Sequence, residues 1–195
     1  SSASWSTLTR AARVLSRYLD AIVIRTYDHS IVEEWAREAT MPVINGLTDL
    51  SHPCQALSDL LTIREKKGRL MGIKIAYIGD GNNVAASWIH AVARLGGRLR
   101  LGCPAPLMPS PALLQWAKDQ NADVVVTEDP EEAVAGADCI IADAWVSMHD
   151  ADAAQLAQQC LGQEGAQCLL GFGQGEPVQV DLGLEPILAA AQLAH

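Results

Sequence analysis

Apolar positions along the chain alternate between a three-to-four residue spacing and short unbroken runs, which predicts helices and buried strands in turn. From Leu8 to Leu19, residues Leu8, Ala11, Ala12, Leu15, Tyr18 and Leu19 fall on one helix face, and a strand over 21–24 follows at once. Ile31, Val32, Trp35, Ala36 and Ala39 repeat the helical spacing, and residues 42–47 form a short extended run near Gly46. Ser51 is placed to cap the next helix. Pro53 sits in its first turn, where a missing N–H costs nothing, and Leu57, Leu60, Leu61 and Ile63 carry the helix to Lys66-Lys67-Gly68.

Beyond Gly68 the alternation is cleaner. Residues 73–78 read as strand, 84–95 as helix closed by Gly96-Gly97, and 98–101 as strand. Ser110-Pro111 opens a further helix, residues 123–126 form a strand, and Asp129-Pro130-Glu131-Glu132 places a cap, a first-turn proline and two acids at a positive helix end. Gly136 stops that helix, and the apolar run 139–144 fits a parallel strand covered on both faces. The expected fold is α/β: a doubly wound parallel sheet, Rossmann-like, over 68–195, preceded by a partial α/β domain over 1–67. After Met148 the pattern degrades. Residues 151–159 can form a helix, whereas Gly162 to Gly175, rich in Gly and Gln, reads as a loop, and no internal repeat is evident.

Composition narrows the function. With 195 residues, 49% hydrophobic and 19% charged, the chain is globular and not disordered. A net charge of −9 argues against nucleic acid and anionic membrane as partners, and the apolar runs fall short of the roughly 20 residues a membrane helix needs. Cys54, Cys103, Cys139, Cys160 and Cys168 form an odd, scattered set without C-x-x-C or a secretory leader, which points to a reducing, cytoplasmic setting without structural zinc.

Three polar signatures stand where apolar segments end: His52-Pro53-Cys54-Gln55, Gly79-Asp80-Gly81-Asn82-Asn83 and Asp143-Ala144-Trp145-Val146-Ser147-Met148. Polar groups converging at the carboxyl ends of parallel strands form a ligand crevice, so three such tips point to one small-molecule site. His52 and Gln55, three apart at a helix start, can share a face beside free N–H groups and the positive end of the helix dipole, an arrangement suited to a carbonyl attached to phosphate. The same residues could simply help cap their helix. Asn82 and Asn83 could satisfy a turn, and Asp143 and Ser147 could be a strand end and a cap. The glycine run lacks the second and third glycines of G-x-G-x-x-G, which argues against a dinucleotide-binding domain.

Together these segments resemble the transcarbamylases, and within them the ornithine carbamoyltransferases. The resemblance rests on Asn45-Gly46-Leu47-Thr48-Asp49 leading into His52-Pro53-Cys54-Gln55, on 56–65, on Gly79 to Asn83, on Thr127-Glu128-Asp129-Pro130 and on Asp143 to Met148, and covers about 9–148. H-P-x-Q is shared with aspartate carbamoyltransferases, whereas G-D-G-N-N and D-x-W-x-S-M resemble the ornithine branch. The resemblance implies a carbamoyl-phosphate domain and an amino-acid domain, usually assembled as homotrimers, with a role in arginine metabolism and amino-acid biosynthesis. It implies that Arg25, His52 and Gln55 contact carbamoyl phosphate and act in catalysis, and that Asn83, Asp143, Ser147 and Met148 hold ornithine. No metal or organic cofactor is required.

The chain departs from the family pattern in places. S-T-R-T-R has no counterpart, since Ser6-Thr7-Leu8-Thr9-Arg10 falls in the helix before the Arg25 strand. Ser147-Met148-His149 stands where S-M-G is expected, and H-C-L-P is absent. The chain therefore reads as truncated at both ends, and sustained carbamoyl transfer by it alone is not expected. A non-catalytic amino-acid-binding or interaction module derived from a transcarbamylase is the alternative.

Overall fold

The computed structural model describes residues 5–143 and 170–172. Two units divide the chain: Ser1–Met71 with Gly81–Gly97 and Pro109–Asp123, and Gly72–Asp80 with Arg98–Met108 and Val124–His195.

The first unit begins with α1 (Trp5–Leu15), β1 (Ile22–Arg25), α2 (His29–Glu38), β2 (Val43–Leu47) and α3 (Pro53–Lys67), and also holds α4 (Asn83–Leu95) and α5 (Pro111–Asp119). β1 and β2 pair in parallel. α2 and α3 pack on β2, and α3 packs on α4, burying Val32, Ala56, Leu60, Ile63, Trp88 and Ile89. The apolar spacing through Leu19 predicts a longer first helix than forms. α1 stops at Leu15 because the Ser16 hydroxyl donates to the Ala12 carbonyl at 2.7 Å and the Tyr18 amide turns back to Leu15 at 2.9 Å, leaving Tyr18 78% exposed. The capping residue of α3 also differs from expectation. His52 holds the N-cap position, while Ser51 Oγ accepts from Asn45 Nδ2 at 3.0 Å. α3 ends at Gly68, whose φ of 71° is the left-handed geometry that a glycine adopts without a Cβ clash.

In the second unit β3 (Lys74–Ile78), β4 (Arg98–Gly102), β5 (Asp123–Thr127), β6 (Cys139–Ala142) and β7 (Leu170–Phe172) form one sheet in the order β5-β4-β3-β6-β7. The short helix α6 (Pro130–Val134) packs on β3 and β4. β3 pairs in parallel with β4 and with β6, its register running from Ile75 opposite Cys139 to Ile78 opposite Ala142. The fold is α/β with a parallel sheet, as the apolar runs predict. β7 departs from expectation: the Gly/Gln-rich stretch reads as a loop, whereas its residues Leu170–Phe172 form a strand antiparallel to β6. An antiparallel strand at the edge of a parallel sheet is a common variation. The order places β4 on one side of β3 and β6 on the other, so the direction of strand succession reverses at β3. Ligands bind outside the carboxyl ends of strands at such a reversal. No helix among the described residues is long and apolar enough to cross a membrane.

Candidate active site

The first unit holds the His52 signature and Asn83. Arg25 is the exposed last residue of β1. A register shift between Ile24 and Arg25 sets Arg25 opposite Leu47 and leaves Gly46 as the extra residue of β2. Glycine is needed there, because a Cβ at Gly46 would lie 3.0 Å from Val23 Cγ1 and 3.2 Å from the Ile24 carbonyl oxygen.

The loop from β2 to α3 is tied off by Thr48, which is fully buried. Its amide donates to the Ser51 carbonyl at 2.9 Å, and its hydroxyl lies 2.8 Å from His29 Nδ1 and accepts the Ser51 amide at 3.2 Å. His52 follows at the N-cap of α3, with a φ of −128° and a ψ of 67°. Its side chain makes no capping bond, so the imidazole is not spent on its own helix, and its amide donates to Ser87 Oγ at 2.7 Å. Gln55 does not cap either. It donates through Nε2 to Asp59 Oδ1 at 2.9 Å, a bond along the helix that orients the amide.

The two asparagines of the second signature separate in role. Asn82 is the N-cap of α4, its Oδ1 accepting from the Val84 and Ala85 amides at 2.8 and 3.2 Å. Asn83 turns away from its own helix and donates through Nδ2 to the Thr48 carbonyl at 2.6 Å. Ser87, one helical turn on, donates to the Asn83 carbonyl at 2.8 Å while accepting the His52 amide. His52 and Asn83 are thereby stitched together through one buried hydroxyl and the Thr48 loop.

The second unit holds the strand tips. The backbone ladder continues past β3, with the Gly79 amide donating to Gly102 at 3.2 Å and the Asp143 amide to Ile78 at 3.0 Å, so Gly79-Asp80 and Asp143 stand side by side at the reversal point. Tyr77, fully buried in β3, lies with its hydroxyl 3.0 Å from Asp143 Oδ2 and 3.1 Å from the Asp80 carbonyl oxygen. Burial, then the negative charges of Asp143 and Asp80, hold its phenol protonated well above the ordinary tyrosine range. Cys103, also buried, is pushed up to about 12, mainly by burial and secondarily by Asp80, and is a neutral thiol at any physiological pH. The partners at Tyr77 and Ser87 were not evident from sequence reasoning. A signal existed for the first, since a tyrosine within an aliphatic buried strand requires a partner for its hydroxyl.

Two family models match the sequence: the carbamoyl-P binding domain of aspartate/ornithine carbamoyltransferase over residues 1–65, and its Asp/Orn binding domain over residues 71–164. The chain belongs to the aspartate/ornithine carbamoyltransferase family. It is 51% identical over 146 residues to the ornithine carbamoyltransferase of Rhodopseudomonas palustris strain BisA53, a match covering 75% of this chain and 47% of that protein. With the ornithine carbamoyltransferase of Syntrophus aciditrophicus it shares 53% identity over 143 residues, covering 73% of this chain and 47% of the relative. Its structure superposes on that of the Pyrococcus furiosus ornithine carbamoyltransferase with a TM-score of 0.71 at 45% identity, covering 78% of this chain and 50% of the other. The chain thus spans about half the length of the carbamoyltransferases it matches. Of the residues that the family resemblance assigns, Arg25, His52, Gln55 and Asn83 lie in the first unit and Asp143 in the second. Ser147 and Met148 lie outside the described residues.

Proposed function

We propose that this chain carries ornithine carbamoyltransferase chemistry, with Arg25, His52 and Gln55 contacting carbamoyl phosphate and Asn83, Asp143, Ser147 and Met148 holding ornithine. The neutral side-chain amine of ornithine attacks the carbamoyl carbon. A C–N bond forms, the bond from that carbon to the phosphate oxygen breaks, phosphate leaves with the electron pair, and the amine nitrogen loses a proton to give citrulline. Catalysis of this kind depends on holding two reactants in line and on fixed donors for charge developing on the carbonyl oxygen, roles for which a guanidinium and an imidazole are suited.

The observation that carries the reading is the joint tethering of His52 and Asn83 through Ser87, which brings a group assigned to each substrate to one place. Arg25 supports it as an exposed cation at a strand end, where a dianionic phosphate gains most from a guanidinium fork. The reading includes a division near residue 68 into a carbamoyl-phosphate part and an ornithine part, in keeping with the separate matches over 1–65 and 71–164. It also includes a homotrimeric assembly, a cytoplasmic setting consistent with the free thiols of Cys54, Cys103 and Cys139, and a place in arginine synthesis.

Titration with carbamoyl phosphate tests the reading. Saturable binding by the chain that His52→Ala weakens by about tenfold or more supports it, as the loss of one charge-assisted contact would. Binding that is absent, or untouched by the substitution, overturns it. Citrulline formation on adding ornithine to the same sample separates catalysis from binding alone.

A further inference from the structure

We infer that Tyr77 is a positioning residue for Asp143, fixing its carboxylate in the orientation that receives a cationic amine of the bound amino acid. The inference rests on the functional reading above for the role of Asp143, and on two independent geometric observations for the role of Tyr77. The first is the hydrogen bond itself. Tyr77 is fully buried, and its hydroxyl has one proton and lies 3.0 Å from Asp143 Oδ2 and 3.1 Å from the Asp80 carbonyl oxygen. An ionised carboxylate is the stronger acceptor, so the proton goes to Asp143. The second is the space around the pair. A Cβ at Gly79 would lie 3.2 Å from Tyr77 Cε1, 3.3 Å from the Tyr77 hydroxyl and 3.3 Å from Asp143 Cβ, so the glycine of the G-D-G-N-N signature is what lets ring and carboxylate meet.

Packing does not require the hydroxyl. A phenylalanine would fill the same volume without the cost of burying a polar group, and every neighbouring position of β3 from Ile75 to Ile78 is apolar. What the hydroxyl supplies is restraint. Asp143 follows the last residue of β6 and is only partly buried, and the Tyr77 hydrogen bond is a restraint on its side-chain torsions. A carboxylate already locked in its binding geometry loses less freedom when ligand arrives. Among the described residues, Asp80 and Cys103 also act on Tyr77.

A double-mutant cycle on the full chain tests the inference, with Tyr77→Phe, Asp143→Asn and the double variant each titrated with ornithine and each unfolded in urea. The expected result is an ornithine affinity about tenfold weaker in Tyr77→Phe, a loss in Asp143→Asn, and no further loss in the double variant, because Tyr77 acts only through Asp143. Additive losses, or unchanged affinity in Tyr77→Phe beside a weakened Asp143→Asn, overturn it. If the unsubstituted chain does not bind ornithine, or Asp143→Asn binds it unchanged, the functional reading of Asp143 fails. The urea cycle then decides the structural claim by itself: non-additive losses of stability support the Tyr77 restraint and additive ones overturn it.

Discussion

The His52 amide donates to the Ser87 hydroxyl at 2.7 Å across 35 residues of sequence. That hydroxyl is buried and donates onward to the Asn83 carbonyl, so the residue before α3 and the first residue of α4 share one anchor. The N–H of a helix N-cap is ordinarily left to solvent or to a capping box. Here it is used to fix the approach of the α3 start to α4.

Ser87→Ala removes that anchor and leaves the His52 N–H without its acceptor. The expected loss is about 1–3 kcal/mol of stability, the cost of an unsatisfied buried donor, read as a lower urea midpoint. Carbamoyl-phosphate affinity should fall alongside it, because the backbone that presents His52 is no longer held.

The neighbouring asparagines should separate in their effects. Asn82→Ala removes both cap bonds of α4 and should cost about 1 kcal/mol in unfolding measurements, with ornithine affinity in the folded protein little changed. Asn83→Ala should weaken ornithine binding and leave the chain folded, since its side chain serves the Thr48 carbonyl and not its own helix. Equal effects of the two substitutions on binding would contradict the division of roles.

Gly79→Ala should be destabilising by about 1–3 kcal/mol, measured by thermal or urea unfolding. The added methyl meets a ring and a strand-end Cβ, neither of which can swing away as the tip of a flexible side chain would.

Stability should fall at alkaline pH. The Cys103 thiol is raised from 9.0 to about 12 and Tyr77 is raised above 10.0, so the unfolded chain releases these protons before the folded one does. Their contribution to stability is complete below the unfolded values and is lost as pH rises from about 9 toward the folded values. The urea midpoint should drop progressively as pH rises above about 9, and Cys103→Ala should shallow that drop.

Much of this architecture could be read from residue patterns because its signals are local. Gly68 and Gly96 stop their helices with the positive φ that the sequence implied, and Asp129 and Ser110 cap the helices they precede. The apolar runs at 73–78 and 139–142 are the buried central strands. Other features depend on tertiary partners and left no local mark. The periodicity to Leu19 overran the helix because nothing in the spacing reveals that Ser16 bonds back to Ala12. Three residues with a central glycine carry too little pattern to announce β7. At the candidate site, the types and spacing of His52, Gln55, Asn83 and Asp143 were legible. The Ser87 and Tyr77 bonds that hold them were not, since their partners lie 35 and 66 positions away.

The most direct test of the central claim, that the chain retains an ornithine-binding half of a carbamoyltransferase site, is isothermal titration of the purified chain with ornithine, with and without carbamoyl phosphate. The account predicts saturable one-to-one binding in at least one of the two conditions. Heats equal to ligand dilution in both would contradict it.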